Sequence, residues 1–158
     1  MGTDRVREFF KSRGLDYEVK EFEASTATVE LAAAALGVSP GEIAKTMAFQ
    51  LKEEPILIVA KGTARIDNRK FKDNFKQRAK MMSPEAVLEA TGFPVGGVCP
   101  FDSTQIKVYL DVSLQEFDHV FPAAGTPNST VKITPQALAE IVQGIWIDVS
   151  VQEANSQG

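Results

Sequence analysis

Five apolar residues in a row, Ile56–Ala60, stand between Pro55 and Lys61. A run of this length and content is typical of a β-strand that is buried on both faces. Such a strand must lie inside a sheet that other elements cover on both sides. The chain can supply that cover, because 44% of its 158 residues are hydrophobic and 24% are charged, which is typical of one globular domain.

Short helices and further strands are predicted on either side of this run. The helices are expected to follow capping residues at Thr3, Thr28, Ser39, Asp67 or Asn68, Ser83 and Thr134. The other strands are expected within residues 17–22, 47–51, 105–111, 120–124, 131–133 and 145–149. Helices and strands do not alternate regularly, so we predict an α+β fold in which helices surround a curled, barrel-like mixed sheet. The domain is expected to span residues 1–152, and residues 153–158 to form a polar tail.

Targeting signals and disulfides are not expected. No apolar run approaches the ~20 residues that a membrane helix needs, and the N-terminal residues lack the apolar core of a signal peptide. Cys99 is the only cysteine, so an internal disulfide is excluded. These features suit a cytoplasmic protein.

The charges are distributed unevenly along the chain. The net charge of -4 is the sum of +6 in residues 61–80 and -10 elsewhere. The basic residues of that segment are Lys61, Arg65, Arg69, Lys70, Lys72, Lys76, Arg78 and Lys80, against Asp67 and Asp73. The segment can bind a polyanion such as a nucleic acid, or it can be a solvated helix face, and the sequence leaves both open.

A glycine-rich loop and one lysine are the candidate chemical features. Gly96 and Gly97 lie between Pro94 and Pro100, so the backbone there can approach a ligand closely and direct N–H groups toward it. Lys45 is expected where a short capped helix leads into a strand, a rigid junction for an ammonium group. For the loop alone, a tight connection without a ligand is an equal alternative.

Metal and cofactor chemistry is not expected. His119 is the only histidine and lies twenty residues after Cys99, so the sequence offers no zinc site. His119 could be the base of a serine or cysteine hydrolase, although a structural or surface role is favoured. Cys99 could be activated by the glycine loop, although an apolar filler is favoured. Neither a Walker A nor a dinucleotide-binding glycine pattern is present, so no cofactor is predicted.

The remaining features can act together on one kind of bond. Lysine can hold a phosphate or sugar oxygen, or give a proton to a departing alkoxide. Backbone N–H groups of residues 96–98 can polarise an ester carbonyl, and a basic surface can hold a polyanionic leaving group. An ester that joins an amino acid to the 3′ end of a nucleic acid needs all three.

Several segments, in order, resemble the family of YbaK-type aminoacyl-tRNA deacylases, also known as the prolyl-tRNA synthetase-associated editing domain. The segments that carry the resemblance are Ala35–Pro40, Ile43–Thr46, Thr91–Pro100, Asp111, Ala124-Gly125 and Ile133–Pro135 with Leu138. The resemblance implies hydrolysis of a wrongly charged tRNA, such as a tRNA for proline that carries a smaller amino acid. Aminoacyl-tRNA, and a synthetase, are the implied partners.

The resemblance also implies roles for individual residues. Lys45 and the loop residues Gly96, Gly97, Val98 and Pro100 are expected to be catalytic, the loop by orienting the aminoacyl carbonyl. The expected substrate-binding residues are Thr46, Cys99, Asp111 and Gly125. The residues expected to bind tRNA are Lys61, Arg65, Arg69, Lys70, Lys72 and Lys76. Groups of the substrate itself are expected to assist the attack, so no protein nucleophile is required.

One position departs from the family. Several members carry a serine two residues before the turn glycine, where this chain has Ala123. The amino acid specificity of those members therefore cannot be transferred. The chain carries no synthetase domain, which favours a freestanding editor acting in trans. A binding module that does not turn over tRNA, and a hydrolase of a small unrelated ester, are the alternatives.

Overall fold

The computed structural model describes residues 2–23, 25–26, 28–94, 97–101 and 106–152. The helices are α1 (Gly2–Ser12), α2 (Val29–Leu36), α3 (Asn68–Phe75), α4 (Pro84–Thr91) and α5 (Pro135–Val142), with 3₁₀ helices at Pro40–Glu42 and Val112–Glu116. The strands are β1 (Val19–Glu21), β2 (Ile43–Gln50), β3 (Pro55–Lys61), β4 (Ala64–Ile66), β5 (Lys107–Asp111), β6 (Phe121–Pro122), β7 (Ser129–Val131), β8 (Ile145–Ile147) and β9 (Ser150–Gln152).

A mixed sheet of five strands, in the order β6-β2-β3-β5-β8, forms the centre of the fold. β2 and β3 are antiparallel, and the other three pairs are parallel. Two further pairs, β1-β7 and β4-β9, lie outside it. The predicted α+β fold with a mixed sheet is confirmed. Closure of the sheet into the predicted barrel-like form is not found, because β6 and β8 do not pair among the described strands.

β3 is buried on both faces, as its apolar run predicts. Every residue of Ile56–Ala60 is 0% exposed. Leu57 and Val59 belong to one apolar cluster, which includes side chains of α1. Ile56 and Ile58 belong to a second cluster with Phe71 of α3. Because burial of one such side chain contributes roughly 1.5–3 kcal/mol, this strand anchors the elements on both sides of the sheet.

Local capping signals define most helix ends. The Thr28 side chain accepts a hydrogen bond from the Leu31 N–H at 3.1 Å, and Gly37 ends α2 in the left-handed conformation. At α4, the Ser83 side chain accepts a hydrogen bond from the Ala86 N–H, and Gly92 ends the helix in the left-handed conformation. Before β2, the Glu42 carboxylate accepts a hydrogen bond from the Ser39 N–H at 3.0 Å, which fixes the turn that leads to Lys45.

Some predicted boundaries differ from the structure. α1 already begins at Gly2, so Thr3 lies inside its first turn instead of capping it. β4 and β9 were not predicted, because each has three residues and pairs with a segment more than 80 positions away. The predicted tail, residues 153–158, lies outside the described residues. None of the helices in the described part of the chain is long and apolar enough to cross a membrane.

Candidate active site

A cavity of about 220 Å³ opens beside the start of β2. It is lined by the first turn of α2, the first residues of β2, the glycine-rich loop and residues of β6 and β7. Its polar groups include Lys45, Thr46 and Thr130, and its apolar wall includes Val98 and Phe121. At ~30 Å³ per water, the cavity has room for about seven waters, so it can accept a small organic group.

Lys45 is held at this cavity by backbone carbonyls. Its Nζ donates hydrogen bonds to the carbonyl oxygen of Gly62, at 3.3 Å, and to that of Ala64. Both acceptors lie beyond the end of β3, in the turn and in β4. These two hydrogen bonds fix the ammonium of a residue that lines the cavity.

Gly62 allows this anchor to form. A Cβ atom on Gly62 would lie 2.1 Å from the carbonyl oxygen of Pro40 and 2.7 Å from Cγ1 of Val29. The Gly62 N–H also donates to the carbonyl of Gly41 at 3.4 Å. The turn that carries one acceptor of Lys45 thus packs directly against the 3₁₀ helix before β2, and only a residue without a side chain fits there.

Thr46, the next residue of β2, has an unsatisfied hydroxyl. Its Oγ1 is buried and has no hydrogen-bond partner within the described part of the protein. An orphaned buried hydroxyl costs roughly 1–3 kcal/mol. Because the Thr46 side chain lines the cavity, a change of rotamer can bring this hydroxyl to a bound molecule.

The glycine loop is described only from Gly97 onward, and Gly96 lies outside the described residues. A Cβ atom on Gly97 would lie 2.7–2.9 Å from backbone atoms of Thr126, so this glycine permits a close backbone contact. Its N–H donates to the Pro94 carbonyl at 2.9 Å and is not available to a ligand. Val98 lines the cavity, and its N–H has no partner among the hydrogen bonds of the described backbone.

The other predicted loop residues are part of the core. Cys99 is 0% exposed, and its Sγ donates a weak hydrogen bond to the Phe101 carbonyl at 3.5 Å. Pro100 is buried as well. Neither residue lines the cavity, nor does Gly125, which is buried in the turn before β7 with φ 102°. Cys99 therefore has the position of the apolar filler that the sequence favoured.

Asp111 is placed at the end of β5, away from the cavity lining. Its carboxylate, 1% exposed, accepts hydrogen bonds from the Val149 N–H at 2.8 Å, the Ser113 N–H at 3.0 Å and the Ser150 hydroxyl at 2.6 Å. Burial opposes the charged form, but the hydrogen bonds from Ser113, Ser150 and Val149 outweigh it and lower the pKa below its usual 3.8. This geometry fits a structural carboxylate that joins β5 to β9, and not the predicted substrate contact.

We expect Asp111→Asn to lower the free energy of unfolding by about 3 kcal/mol at pH 7, because an amide cannot accept all three donors. Since the pKa in the folded protein is depressed, the contribution of the carboxylate is present above its unfolded pKa. It is lost as the pH falls through the folded pKa. Urea unfolding at pH 7 and pH 3 should therefore show a smaller difference between the two proteins at pH 3. The exposed Asp118→Asn is the control, and an equal loss in both variants would contradict the assignment.

The predicted tRNA-binding residues do not form one surface. The Lys61 ammonium is 2.8 Å from the Glu116 carboxylate, and its side chain is 10% exposed. The Lys70 ammonium is 2.9 Å from the Asp148 carboxylate and also donates to the Ser150 carbonyl. The positive charges of Lys61 and Lys70 are therefore each paired with a carboxylate of the protein. Arg65 is exposed in β4 but lines neither of the basic grooves described next.

Three of the predicted cations join three others in a basic patch. All six are exposed and line two adjoining grooves that share Lys72 and Arg78. We define the basic patch as Lys52, Arg69, Lys72, Lys76, Arg78 and Lys80. Arg78 and Lys80 belong to the charged segment seen in the sequence, but Lys52 precedes it, and only the fold brings it to this position.

His119 is exposed and does not line the cavity, so it does not have the position of a catalytic base for it. Within the described residues, no group of three or more histidine, cysteine, aspartate or glutamate side chains could hold a metal ion. Among the described residues that line the cavity, those with polar side chains are one lysine and the threonines Thr26, Thr28, Thr46 and Thr130.

Comparison with known proteins identifies the fold and the family. Residues 23–141 match the family model of the aminoacyl-tRNA editing domain. The chain is 47% identical over 152 residues to the "Uncharacterized protein YwhH" of Bacillus subtilis (strain 168), covering 94% of this chain and 97% of that protein. It is also 25% identical over 123 residues to the "Proline--tRNA ligase" of Thermotoga sp. (strain RQ2), of which it covers 21%.

Solved structures agree with this result. The fold superimposes on "a putative trans-editing enzyme for prolyl tRNA synthetase" with a TM-score of 0.88 and 32% identity, covering 95% of this chain and 97% of the other. It also superimposes on "hypothetical protein APE2540" with a TM-score of 0.86 and 31% identity, covering 93% and 99%. The family model covers most of the chain, and the cavity lies within it. The chain therefore belongs to the aminoacyl-tRNA editing domain family.

Proposed function

We propose that the protein is an aminoacyl-tRNA deacylase that acts in trans and hydrolyses the ester of a tRNA carrying a wrong, small amino acid. The observation that carries the proposal is that Lys45, whose ammonium donates to the carbonyls of Gly62 and Ala64, lines the same small cavity as Val98. Membership of the editing domain family supports the substrate class. The names of the prolyl-tRNA ligase and the trans-editing enzyme favour a tRNA for proline.

In the proposed reaction, a water molecule attacks the carbonyl carbon of the ester. The bond from that carbon to the ribose oxygen then breaks, which yields the free amino acid and the 3′-hydroxyl of the tRNA. Negative charge grows on the carbonyl oxygen in the transition state, and an N–H group fixed beforehand at that oxygen lowers the barrier. The Val98 N–H is the candidate donor, in place of the Gly97 N–H that the Pro94 carbonyl accepts.

Lys45 is assigned the leaving-group side of the ester. Its ammonium, held by the carbonyls of Gly62 and Ala64, would stabilise the ribose oxygen as it gains charge. The neighbouring ribose hydroxyl takes the proton of the attacking water while it passes its own proton to the departing ribose oxygen, which leaves as the 3′-hydroxyl. The proposed mechanism uses no metal and no cofactor.

The proposed partners are aminoacyl-tRNA and the synthetase that charges it, in the cytoplasm, with residues 1–152 as the editing domain. The test is to incubate the protein with a panel of mischarged tRNAs and to follow the release of amino acid. We expect release from at least one tRNA that carries a small noncognate amino acid. Binding of the whole panel without release would show instead a binding module of the same fold.

Thr46→Val should have effects of opposite sign on stability and on activity. Removing the orphaned hydroxyl should raise the free energy of unfolding by about 1 kcal/mol. If the hydroxyl turns toward the bound ester, kcat/KM for deacylation should fall by about tenfold, the equivalent of one hydrogen bond. Urea unfolding and deacylation kinetics measure the two effects.

Thr91→Val is the matched control for stability. The Thr91 hydroxyl is also buried but donates to the Val87 carbonyl at 2.8 Å and accepts from the Phe93 N–H at 3.0 Å. Its loss should therefore destabilise the protein. A destabilised Thr46→Val variant would mean that the Thr46 hydroxyl has a partner in solution.

A further inference from the structure

The basic patch is a charged surface that the proposed chemistry of the cavity does not use. Its two grooves have volumes of about 440 and 610 Å³. They are formed by α3, by the segment that follows it, and by the turn between β2 and β3. A groove lined by cations fits an extended anion better than it fits a single small one.

The cations of the basic patch are available to a partner. None of the six forms an ion pair with an acidic side chain in the described part of the chain, in contrast to Lys61 and Lys70. Together with the two acidic residues directly next to them in sequence, Asp73 and Glu53, the six cations carry a net charge of +4. Since the whole chain carries -4, the remainder carries -8, and a polyanion would be directed to this one surface.

Hydrogen bonds hold the three segments of the patch together. The Lys52 N–H donates to the side-chain oxygen of Gln77 at 2.8 Å. The Gln50 N–H donates to the Lys80 carbonyl at 2.8 Å, and the Met82 N–H donates to the Ala48 carbonyl at 3.1 Å. Because the backbone is fixed at these points, the fold sets the spacing of the backbone positions that carry the cations.

The patch and the cavity lie toward opposite ends of β2. Lys45 is near the first end, and Gln50, which lines a groove of the patch, is the last residue of the strand. Five residues of extended strand at ~3.3 Å each span about 17 Å. A group bound at the patch is therefore several nucleotides away from an ester in the cavity.

We propose that the basic patch binds the phosphate backbone of the tRNA acceptor stem while the charged 3′ end occupies the cavity. This inference depends on the proposed function for the identity of the RNA. Cations on neighbouring segments of a fixed backbone can contact phosphates without reading the bases, and so they position the duplex without selecting its sequence. The patch then contributes to affinity for long substrates and not to the chemical step.

The test compares Lys72→Glu/Arg78→Glu with a control of equal charge change, Lys20→Glu/Lys132→Glu. Both control lysines are exposed and lie outside the patch. The substrates are an aminoacylated acceptor-stem minihelix and a minimal aminoacyl-adenosine ester. For the patch variant we expect KM for the minihelix to rise at least tenfold, with kcat/KM for the minimal ester unchanged. The slope of the logarithm of the association constant against the logarithm of the salt concentration should become shallower by roughly 1.5 units or more. Each lost phosphate contact reduces the magnitude of that slope by about 0.7–0.9.

Several results would overturn the proposal: an unchanged salt slope, an equal loss in the control variant, or an equal loss on both substrates. Binding of the uncharged minihelix, followed by fluorescence anisotropy, tests the patch without any turnover. Loss of minihelix binding in the patch variant alone would support the patch even if no ester were cleaved, in which case only the proposed deacylase function fails. Equal weakening of a single-stranded oligonucleotide and the duplex would contradict an acceptor-stem site.

Discussion

Lys45→Ala is expected to reduce deacylation by at least 100-fold while the protein remains folded. The Lys45 ammonium is held by two carbonyls, and the loss of one preorganised donor to a developing oxyanion costs roughly 10²–10³ in rate. The effect should appear in kcat, because charge on the leaving oxygen develops only in the transition state.

The measurement is single-turnover release of amino acid from a mischarged tRNA, with circular dichroism and urea unfolding to verify the fold. Lys45→Met keeps most of the length of the side chain without its charge and should be as inactive as Lys45→Ala. Lys20→Ala, at an exposed position of β1, is the control for general loss of positive charge. Near-normal turnover by a folded Lys45→Ala protein would refute the assignment of Lys45.

Gly62→Ala is expected to lower the free energy of unfolding by about 3 kcal/mol. The added Cβ would lie 2.1 Å from the Pro40 carbonyl oxygen, and a backbone atom cannot move aside as a flexible side chain can, so the turn must shift. Because the Gly62 carbonyl accepts a hydrogen bond from Lys45, the shift should also displace the ammonium. We therefore expect kcat/KM to fall at least tenfold even where the variant is fully folded.

Gly14→Ala separates this steric effect from the general cost of replacing glycine. Gly14 has φ +67°, and no atom lies within 4 Å of the position of an added Cβ. Its replacement should cost only about 1 kcal/mol, through backbone strain, and leave deacylation unchanged. Equal stability losses in the two variants would show that the contact of Gly62 with Pro40 relaxes at little cost.

The sequence predicted the elements whose signals are local. The caps at Thr28, Ser83 and Thr134 each depend on a side chain that bonds a backbone N–H three residues later. The apolar run of β3 depends only on composition. Such features are set by neighbouring residues, so a single sequence is sufficient to find them.

Contacts between distant segments were not predictable in the same way. The acidic partners of Lys61 and Lys70 lie 55 and 78 positions further along the chain. The spacing of residues in the sequence could therefore not show that these two lysines form ion pairs within the protein. For the same reason the sequence could not place Lys52 beside Arg78, since a hydrogen bond from Lys52 to Gln77 joins two separate segments.

The sequence predicted which residues could take part in the candidate site better than it predicted where the fold places them. Lys45 and Val98 were named from the sequence, and the fold places both at one cavity. Asp111 was named as a substrate contact, but its three hydrogen bonds belong to the packing of the core. The sequence does not distinguish a buried structural aspartate from one that binds substrate. The hydrogen-bond donors around the carboxylate in the structure do distinguish them.

The β4-β9 pair has a consequence for the biosynthesis of the protein. Ala64, whose carbonyl holds Lys45, lies in β4, and β4 pairs with Ser150–Gln152. Residue 150 is translated 105 positions after residue 45, which takes roughly 5–20 s at ribosomal speed. During that time a nascent chain has its lysine but not the strand pair that orients it. A chain that stops before residue 150 would therefore contain Lys45 without the strand pair that carries its Ala64 anchor.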